Sequence, residues 1–241
     1  MKSLACMADM TKSNTGRTPS RPVMSAQHEV HPRLESVVDS HLSRRWLQPL
    51  HQPSVRAFAA LRDLIGEHPA RLVLDSGCGN GESTRTIAGD MPDCLVVGID
   101  RSAKRLARTG VQEFPYREDN AVWLRSDLPT FWRLALGHGW RLRAHYLLYP
   151  NPWPKARHLR RRWHGHPVFP DMLRLGGRLE MRSNWKIYAQ EFALAASRVL
   201  GSGVRPEPLA ESAVSSSFER KYRDSGHALY SVVCSADGNG V

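Results

Sequence analysis

The chain has 241 residues, enough for one principal domain with a sizeable core, and its 34 lysines and arginines against 23 acids give a formal charge of +11. Such an excess attracts polyanions. Nucleic acid is the expected partner, because no run of about 18 apolar residues exists for a membrane span and no basic amphipathic helix stands out at either end. A charge that serves solubility alone is the alternative. Cys6, Cys78, Cys94 and Cys234 show neither C-x-x-C spacing nor a partner histidine at zinc spacing, and the eleven histidines include no H-E-x-x-H. The expectations are therefore no metal, a reduced cytoplasmic setting, and loop or surface positions for His164 and His166.

Residues 1 to 30 are rich in Ser, Thr, Pro and Met, lack apolar periodicity and hold no hydrophobic region long enough for a signal peptide, so they read as a flexible arm before a domain spanning 31 to 241. From Pro53 to Glu67 the apolar positions Val55, Phe58, Ala59, Leu61, Leu64 and Ile65 recur at helical spacing. Arg71 to Asp75 and Cys94 to Asp100 are short apolar runs with a helix predicted over Glu82 to Ala88 between them. Three more strands are predicted at Ala121 to Arg125, Ala144 to Tyr149 and Gly177 to Arg182, then a helix over Trp185 to Leu200 and late strands near Val204 and over Ala228 to Cys234. Strand and helix alternating in this way define an α/β class with a parallel, doubly wound sheet and helices on both faces.

After the first strand the chain reads Asp75-Ser76-Gly77-Cys78-Gly79-Asn80-Gly81 and enters a helix, the place where glycines let backbone approach a ligand. Asp100 ends the next strand, where a carboxylate can accept hydrogen bonds from the two hydroxyls of a ribose. A dinucleotide would put its pyrophosphate at the helix N-terminus, and Asp75 and Glu82 oppose that anion. S-adenosylmethionine brings a sulfonium and an ammonium instead, which acids favour, so Asp75 is assigned to the ammonium and Asp100 to the ribose. Helix capping is the alternative for Asp75, and for Asp127, which otherwise reaches the adenine amino group.

The segment Tyr149 to Arg162 places a proline-stiffened turn, Trp153 and the cations Lys155, Arg157, Arg160, Arg161 and Arg162 directly after a strand. It reads as a stacking platform beside a phosphate grip, with a solvated basic loop as the bland alternative and a hinge or core role open for Trp153.

With these pieces placed, the chain resembles the bacterial tRNA (guanine-N7)-methyltransferases. Their signatures are an acid-x-G-x-G-x-G loop, G-[IV]-[ED] at the second strand, a P-D-P-W-x-K-x-R-H-x-K-R-R block, a T-D-W block and a C-terminal T-K-F-E. The matching stretches are Asp75 to Gly81, Gly98 to Asp100, Pro150 to Arg162, Ser183-Asn184-Trp185 and Ser216-Ser217-Phe218-Glu219. The long basic block is highly specific, whereas the glycine loop is common to many methyltransferases. The resemblance implies a Rossmann-like class I methyltransferase that uses S-adenosyl-L-methionine on tRNA, as a monomer or homodimer. It implies cofactor contacts from Asp75, Gly77, Gly79, Gly81, Asp100, Asp127 and Asn151, with Asn151 at the catalytic position. Lys155, Arg157, His158, Asn184, Ser216, Phe218 and Glu219 are its substrate-binding positions.

Three positions depart from the family pattern: Asn151 and Asn184 stand where the family has aspartates, and Ser-Ser-Phe-Glu stands for T-K-F-E. Guanine N7 carries a lone pair and no proton, so methylation needs positioning and no general base. A nearby anion favours the positive charge arriving on the purine, and asparagine offers only a dipole, so a slower enzyme is expected. A tRNA-binding homologue without methyl transfer, or a methyltransferase redirected to another substrate, is the alternative that these departures leave open.

Overall fold

The computed structural model describes residues 19–210 and 216–236. Its elements in chain order are α1 (Leu34–Ser43), α2 (Gln52–Ile65), β1 (Leu72–Ser76), α3 (Glu82–Asp90), β2 (Leu95–Asp100), α4 (Ala103–Leu106), β3 (Tyr116–Glu118), β4 (Ala121–Arg125), α5 (Leu128–Gly137), β5 (Leu142–Leu148), α6 (Phe169–Arg174), β6 (Gly177–Ser183), α7 (Lys186–Leu200), β7 (Pro206–Pro208), α8 (Ser217–Asp224) and β8 (Tyr230–Ala236). The basic block between β5 and α6 folds as two short 3-10 turns, Ala156–Arg161 and Trp163–Gly165.

The strands form one sheet in the order β3-β4-β2-β1-β5-β6-β8-β7. Its five central strands, β4 to β6 in that order, are parallel, as expected. The edges depart from the purely parallel expectation: β3 pairs with β4, and β8 with both β6 and β7, in antiparallel register. Alternate residues explain the continuous apolar runs. Leu72 and Leu74 enter one core with α1, α2 and α5 to α7, while Val73 and Val96 enter a second with Ile87 and Ala88 of α3. A strand covered on both faces has no polar side to show.

Strand order reverses at β1, which has β2 on one side and β5 on the other. Such a switch point opens a crevice at the carboxyl ends of the strands. The glycine loop, Asp100, Asp127, the Tyr149–Arg162 segment and Asn184 all leave the sheet at that edge.

The expected arm falls partly outside the described residues; from Ser20 onward the chain hydrogen bonds to the body. Ser20 N donates to Ser225 Oγ, Ser25 Oγ to the Pro154 carbonyl, and Gln27 Nε2 to Glu191 Oε1. Glu191 on α7 is a fully buried hub. Its carboxylate meets Arg162 at 2.5 Å and His164 Nε2 at 2.8 Å, and it also accepts from the His31 backbone N–H. Burial opposes its charge, but His164 and Arg162 prevail and hold Glu191 down at about 2.

Two expectations are corrected here. Arg162 is 0% exposed and cannot grip a phosphate, and His164, though in a connecting turn as one reading had it, is equally buried and not at the surface. Both serve the Glu191 charge, which a buried carboxylate requires. Glu191→Ala leaves Arg162 charged, buried and unpaired, and is expected to lower stability by about 3 to 5 kcal/mol. Glu191→Gln keeps the volume but turns one of two oxygens, each accepting from two donors, into an N–H donor, so it is also expected to destabilise, as urea denaturation of both variants will read.

Candidate active site

The glycine loop turns at the end of β1 because Gly77, Gly79 and Gly81 take φ of 85°, 62° and 76°, values that side chains resist. Gly81 has a second reason. A Cβ there would lie 2.3 Å from Trp123 Nε1, the atom that donates to the Gly81 carbonyl. Around Gly77 and Gly79 the Cβ directions are open, apart from Phe218 at 3.9 Å from the second, so the backbone faces free space.

Two carboxylates sit beneath this loop, each 1% exposed. Asp75 accepts from Ser83 Oγ at 2.6 Å and Thr84 Oγ1 at 2.7 Å, the first turn of α3. Asp100 accepts from Gly79 N at 3.0 Å and Ser102 N at 2.7 Å and lies 3.1 Å from Arg105. Burial raises Asp75 from the usual carboxylate range to about 6; the two hydroxyls oppose this and the Asp100 charge reinforces it. A pair of buried carboxylates under an open glycine backbone suits a cation and rejects a phosphate. The set therefore fits the ammonium and sulfonium of S-adenosyl-L-methionine.

Asp127 caps α5, accepting from Thr130 N at 3.1 Å, and also lines a cleft of about 550 Å³ with Ser126, Arg101 and Phe114 beside the ends of β2 and β4. The capping reading of Asp127 thus holds.

Across the switch point, β5 runs into the proline turn. Tyr149 and Trp153 take φ of 52° and 45°, a left-handed conformation that non-glycine residues hold only when their surroundings impose it. Those surroundings are specific. Asn151 Oδ1 accepts from Trp153 N at 3.3 Å, an Asx turn, and Arg162 donates from below to the Trp153 carbonyl at 3.2 Å. Arg161 covers one face of the Trp153 ring at 4.8 Å, and the His158 ring meets it edge-on. Lys155, Arg157, Arg160 and Arg161 remain exposed. Burial, and then the neighbouring arginines, lowers the pKa of His158.

The C-terminal residues close the opposite wall. Ser216 caps α8 by accepting from Glu219 N at 3.1 Å. Glu219 is 1% exposed and lies 2.7 Å from Arg182 of β6 and 3.0 Å from Arg223. Ser216 and Glu219 are thus engaged inside the fold, whereas Phe218 is 43% exposed above the glycine loop. An aromatic column runs from Phe218 through Tyr222 to His227, with centroid spacings of 6.3 and 5.3 Å. His227 then meets Asn184, Nδ1 to Nδ2 at 3.1 Å, while its Nε2 lies 3.0 Å from the Ser20 carbonyl. A carbonyl only accepts, so in the neutral ring Nε2 carries the proton and Nδ1 receives the Asn184 amide N–H. Among the described residues nothing donates to the Asn184 carbonyl oxygen, an acceptor suited to the N–H edge of a base.

Sequence reasoning missed the buried relay under the loop. Trp132 Nε1 donates to Ser76 Oγ at 3.2 Å, and Ser76 Oγ pairs with His145 Nε2 at 2.7 Å. Full burial holds His145 at about 3, so it is neutral. An isolated His in a strand carries no local sign of this role. Among the described residues there is no group of three or more His, Cys, Asp or Glu able to hold a metal, and no helix is long and apolar enough to cross a membrane.

A parallel-centred sheet with an acidic glycine loop at its switch point is the class I methyltransferase arrangement. A solved 16S rRNA methyltransferase, KamB, shares this fold at a TM-score of 0.52 and 18% identity, over 80% of this chain and 96% of that one. The family model described as putative methyltransferase matches residues 69–232. The tRNA (guanine-N(7)-)-methyltransferase of Leifsonia xyli subsp. xyli is 30% identical over 179 residues, 69% of this chain and 76% of the relative. That of Acidithiobacillus ferrooxidans is 28% identical over 173 residues, 66% and 73% of the two chains. The chain belongs to the tRNA (guanine-N7)-methyltransferase family.

The raised Asp75 sets a pH dependence. Its folded value lies above its unfolded one, so ionisation of Asp75 costs stability as pH rises from about 4 through about 6. Asp75→Asn, free of that cost, is expected to gain roughly 3 kcal/mol over the native chain above pH 7 and nothing near pH 4, at about 1.36 kcal/mol per unit. Urea midpoints of the ligand-free proteins across that range read the difference.

Proposed function

We propose that this protein transfers the methyl group of S-adenosyl-L-methionine to N7 of a guanine in tRNA, in the cytoplasm. The observation that carries the reading is the convergence at one sheet edge of the acidic glycine loop and the Pro150–Arg162 block, in a chain of this family. When bound, S-adenosyl-L-methionine supplies a methyl group activated on a sulfonium.

The chain's own residues divide the remaining work. Asp75 and the backbone of Gly77, Gly79 and Gly81 form the acidic cradle, Asp100 serves the ribose, and Asp127 serves the adenine beside its cleft. Phe218 closes the cradle from the C-terminal side. The base enters between the Asn151 turn and Asn184, whose carbonyl oxygen accepts from the guanine N–H edge. Lys155, Arg157, Arg160 and Arg161 meet phosphates, and His158, edge-on to the Trp153 ring, keeps that ring in place. Arg162 positions the turn and touches no RNA. Because N7 has no proton to lose, positioning and the surrounding charge account for the rate.

The decisive experiment incubates the protein with S-adenosyl-L-methionine and unmodified total tRNA, then digests the RNA and quantifies 7-methylguanosine by mass spectrometry. New 7-methylguanosine is expected; its absence while the cofactor still binds would overturn the reading. Asn151→Asp retains the Asx turn and adds a charge. It is expected to raise single-turnover rate by about tenfold, well below the limit of roughly 4 kcal/mol for a charge at about 4 Å and a dielectric near 20.

Cofactor binding provides a second check. A cation placed beside Asp75 favours its ionised form, so binding releases a proton below pH 6 and weakens as pH falls through that value. Calorimetry in buffers of different ionisation heat should detect this release in the native chain and not in Asp75→Asn.

A further inference from the structure

A second basic surface lies outside the site, where a segment that precedes the family match packs on α5 and α6. Arg44 and Arg45, in the turn after α1, are exposed and have no ion-pair partner among the described residues. They open onto a cleft of about 410 Å³ completed by Trp46, Arg133 of α5, and Asp171 and Arg174 of α6. Four arginines from three separate segments thus face one hollow with a single carboxylate. Asp171 offsets only its neighbour Arg174, at 3.3 Å.

The cleft is built, not incidental. Arg133 donates to the Gln48 carbonyl at 2.6 Å and lies 5.1 Å above the Trp46 ring, while His166 meets that ring edge-on at 5.0 Å. This fixes the turn bearing Arg44 and Arg45 against the domain. The surface also joins the basic block: His41 Nε2 is 3.1 Å from the Gly165 carbonyl, which follows that block directly. Burial lowers the His41 pKa, the hydrogen bond to Gly165 opposes this, and the charge of Arg160 adds to the lowering.

We infer that the Arg44–Arg45–Arg133–Arg174 cleft is a second docking surface for RNA backbone phosphates, engaging a part of the substrate remote from the methylated guanine. The inference rests on the proposed RNA substrate. Leu42 and Leu47 are exposed nearby, at 38% and 75%, but a membrane is the poorer occupant. The arginines line a concavity, and Trp46 is clamped between Arg133 and His166, so no aromatic wedge is free to enter a bilayer. A folded RNA presents a curved row of phosphates, and arginine forks match them. Continuity with the exposed Arg157, Arg160 and Arg161 makes one basic track from the site to the cleft.

The test uses fluorescently labelled, unmodified tRNA and a short hairpin cut from it around the methylated guanine, with affinity read by anisotropy over a salt series. Arg44→Glu/Arg45→Glu is compared with Arg117→Glu/Arg205→Glu, an equal charge change at the two sheet edges. The first pair is expected to weaken full-length tRNA binding by about tenfold and to flatten the salt slope by about one to two phosphate contacts. Hairpin binding by that variant, and tRNA binding by the second pair, should match the native chain. Equal losses in both variants, equal losses on hairpin and tRNA, or unchanged tRNA binding would each overturn the inference. Loss of binding to phosphatidylserine vesicles with tRNA binding intact would assign the cleft to a membrane. Methyl transfer by the native chain is scored separately, so a failed enzyme reading and a failed docking surface give different results. An unchanged urea midpoint verifies that the variants are folded.

Discussion

The buried pair between Arg162 and Glu191 is the constraint on which the site's geometry depends. A carboxylate and a guanidinium that are both fully enclosed hold their charges only if every strong donor and acceptor finds a partner. Glu191 meets that demand with Arg162, His164, Gln27 and the His31 backbone, and Arg162 with Glu191, Gln27 and the Trp153 carbonyl, its guanidinium stacked 4.9 Å from the Trp185 ring. One pair thereby ties together the N-terminal segment, α7 and the proline turn. The left-handed backbone at Trp153 persists because the carbonyl it aims downward is captured there. Arginine, with five donors in a fixed fork, suits this task where lysine would not.

The opposite wall is arranged around a second buried charge. Glu219, fixed between Arg182 and Arg223, anchors α8 to β6, and α8 in turn carries Phe218 over the glycine loop and Tyr222 against Tyr149. An ion pair of Arg220 with Glu82 joins the same helix to the start of α3. The side that faces the cofactor loop and the side that faces the base are therefore coupled through one short helix. A motif acid such as Glu219 acts here by holding the wall in place.

Much of this was legible in the sequence. The apolar runs of β1 and β2, the three glycines and the proline turn are local signals, and the sheet assembled them as their spacing implied. What escaped is non-local or brief. The antiparallel edge strand β3 is three residues long, and α1 carries no capping side chain to mark its start. Ser216 and Glu219 have the spacing of a capping box, so the beginning of α8 was readable as structure beside the substrate role that the family likeness implies. Arg162 illustrates the harder limit. In a run of cations, nothing local distinguishes the one that turns inward to meet an acid 29 residues away.

The two asparagines are best understood through their neighbours. At 151 the side chain's structural duty is to accept from Trp153 N, and an amide oxygen performs it as a carboxylate would. At 184 the neighbour is His227, whose Nε2–H is directed to the Ser20 carbonyl, leaving Nδ1 as a lone pair. An amide N–H satisfies that lone pair. A carboxylate would oppose it unless the ring took a second proton. Asn184, His227 and the Ser20 carbonyl thus form a matched set in which the ring, fixed at Nε2 by the carbonyl, orients the amide through Nδ1. The loss of charge at 184 is accompanied by a partner that makes asparagine the fitting residue, whereas no such partner accompanies Asn151. Any rate deficit from missing negative charge is therefore concentrated at the proline turn, beside the acidic loop whose carboxylates Asp75 and Asp100 remain.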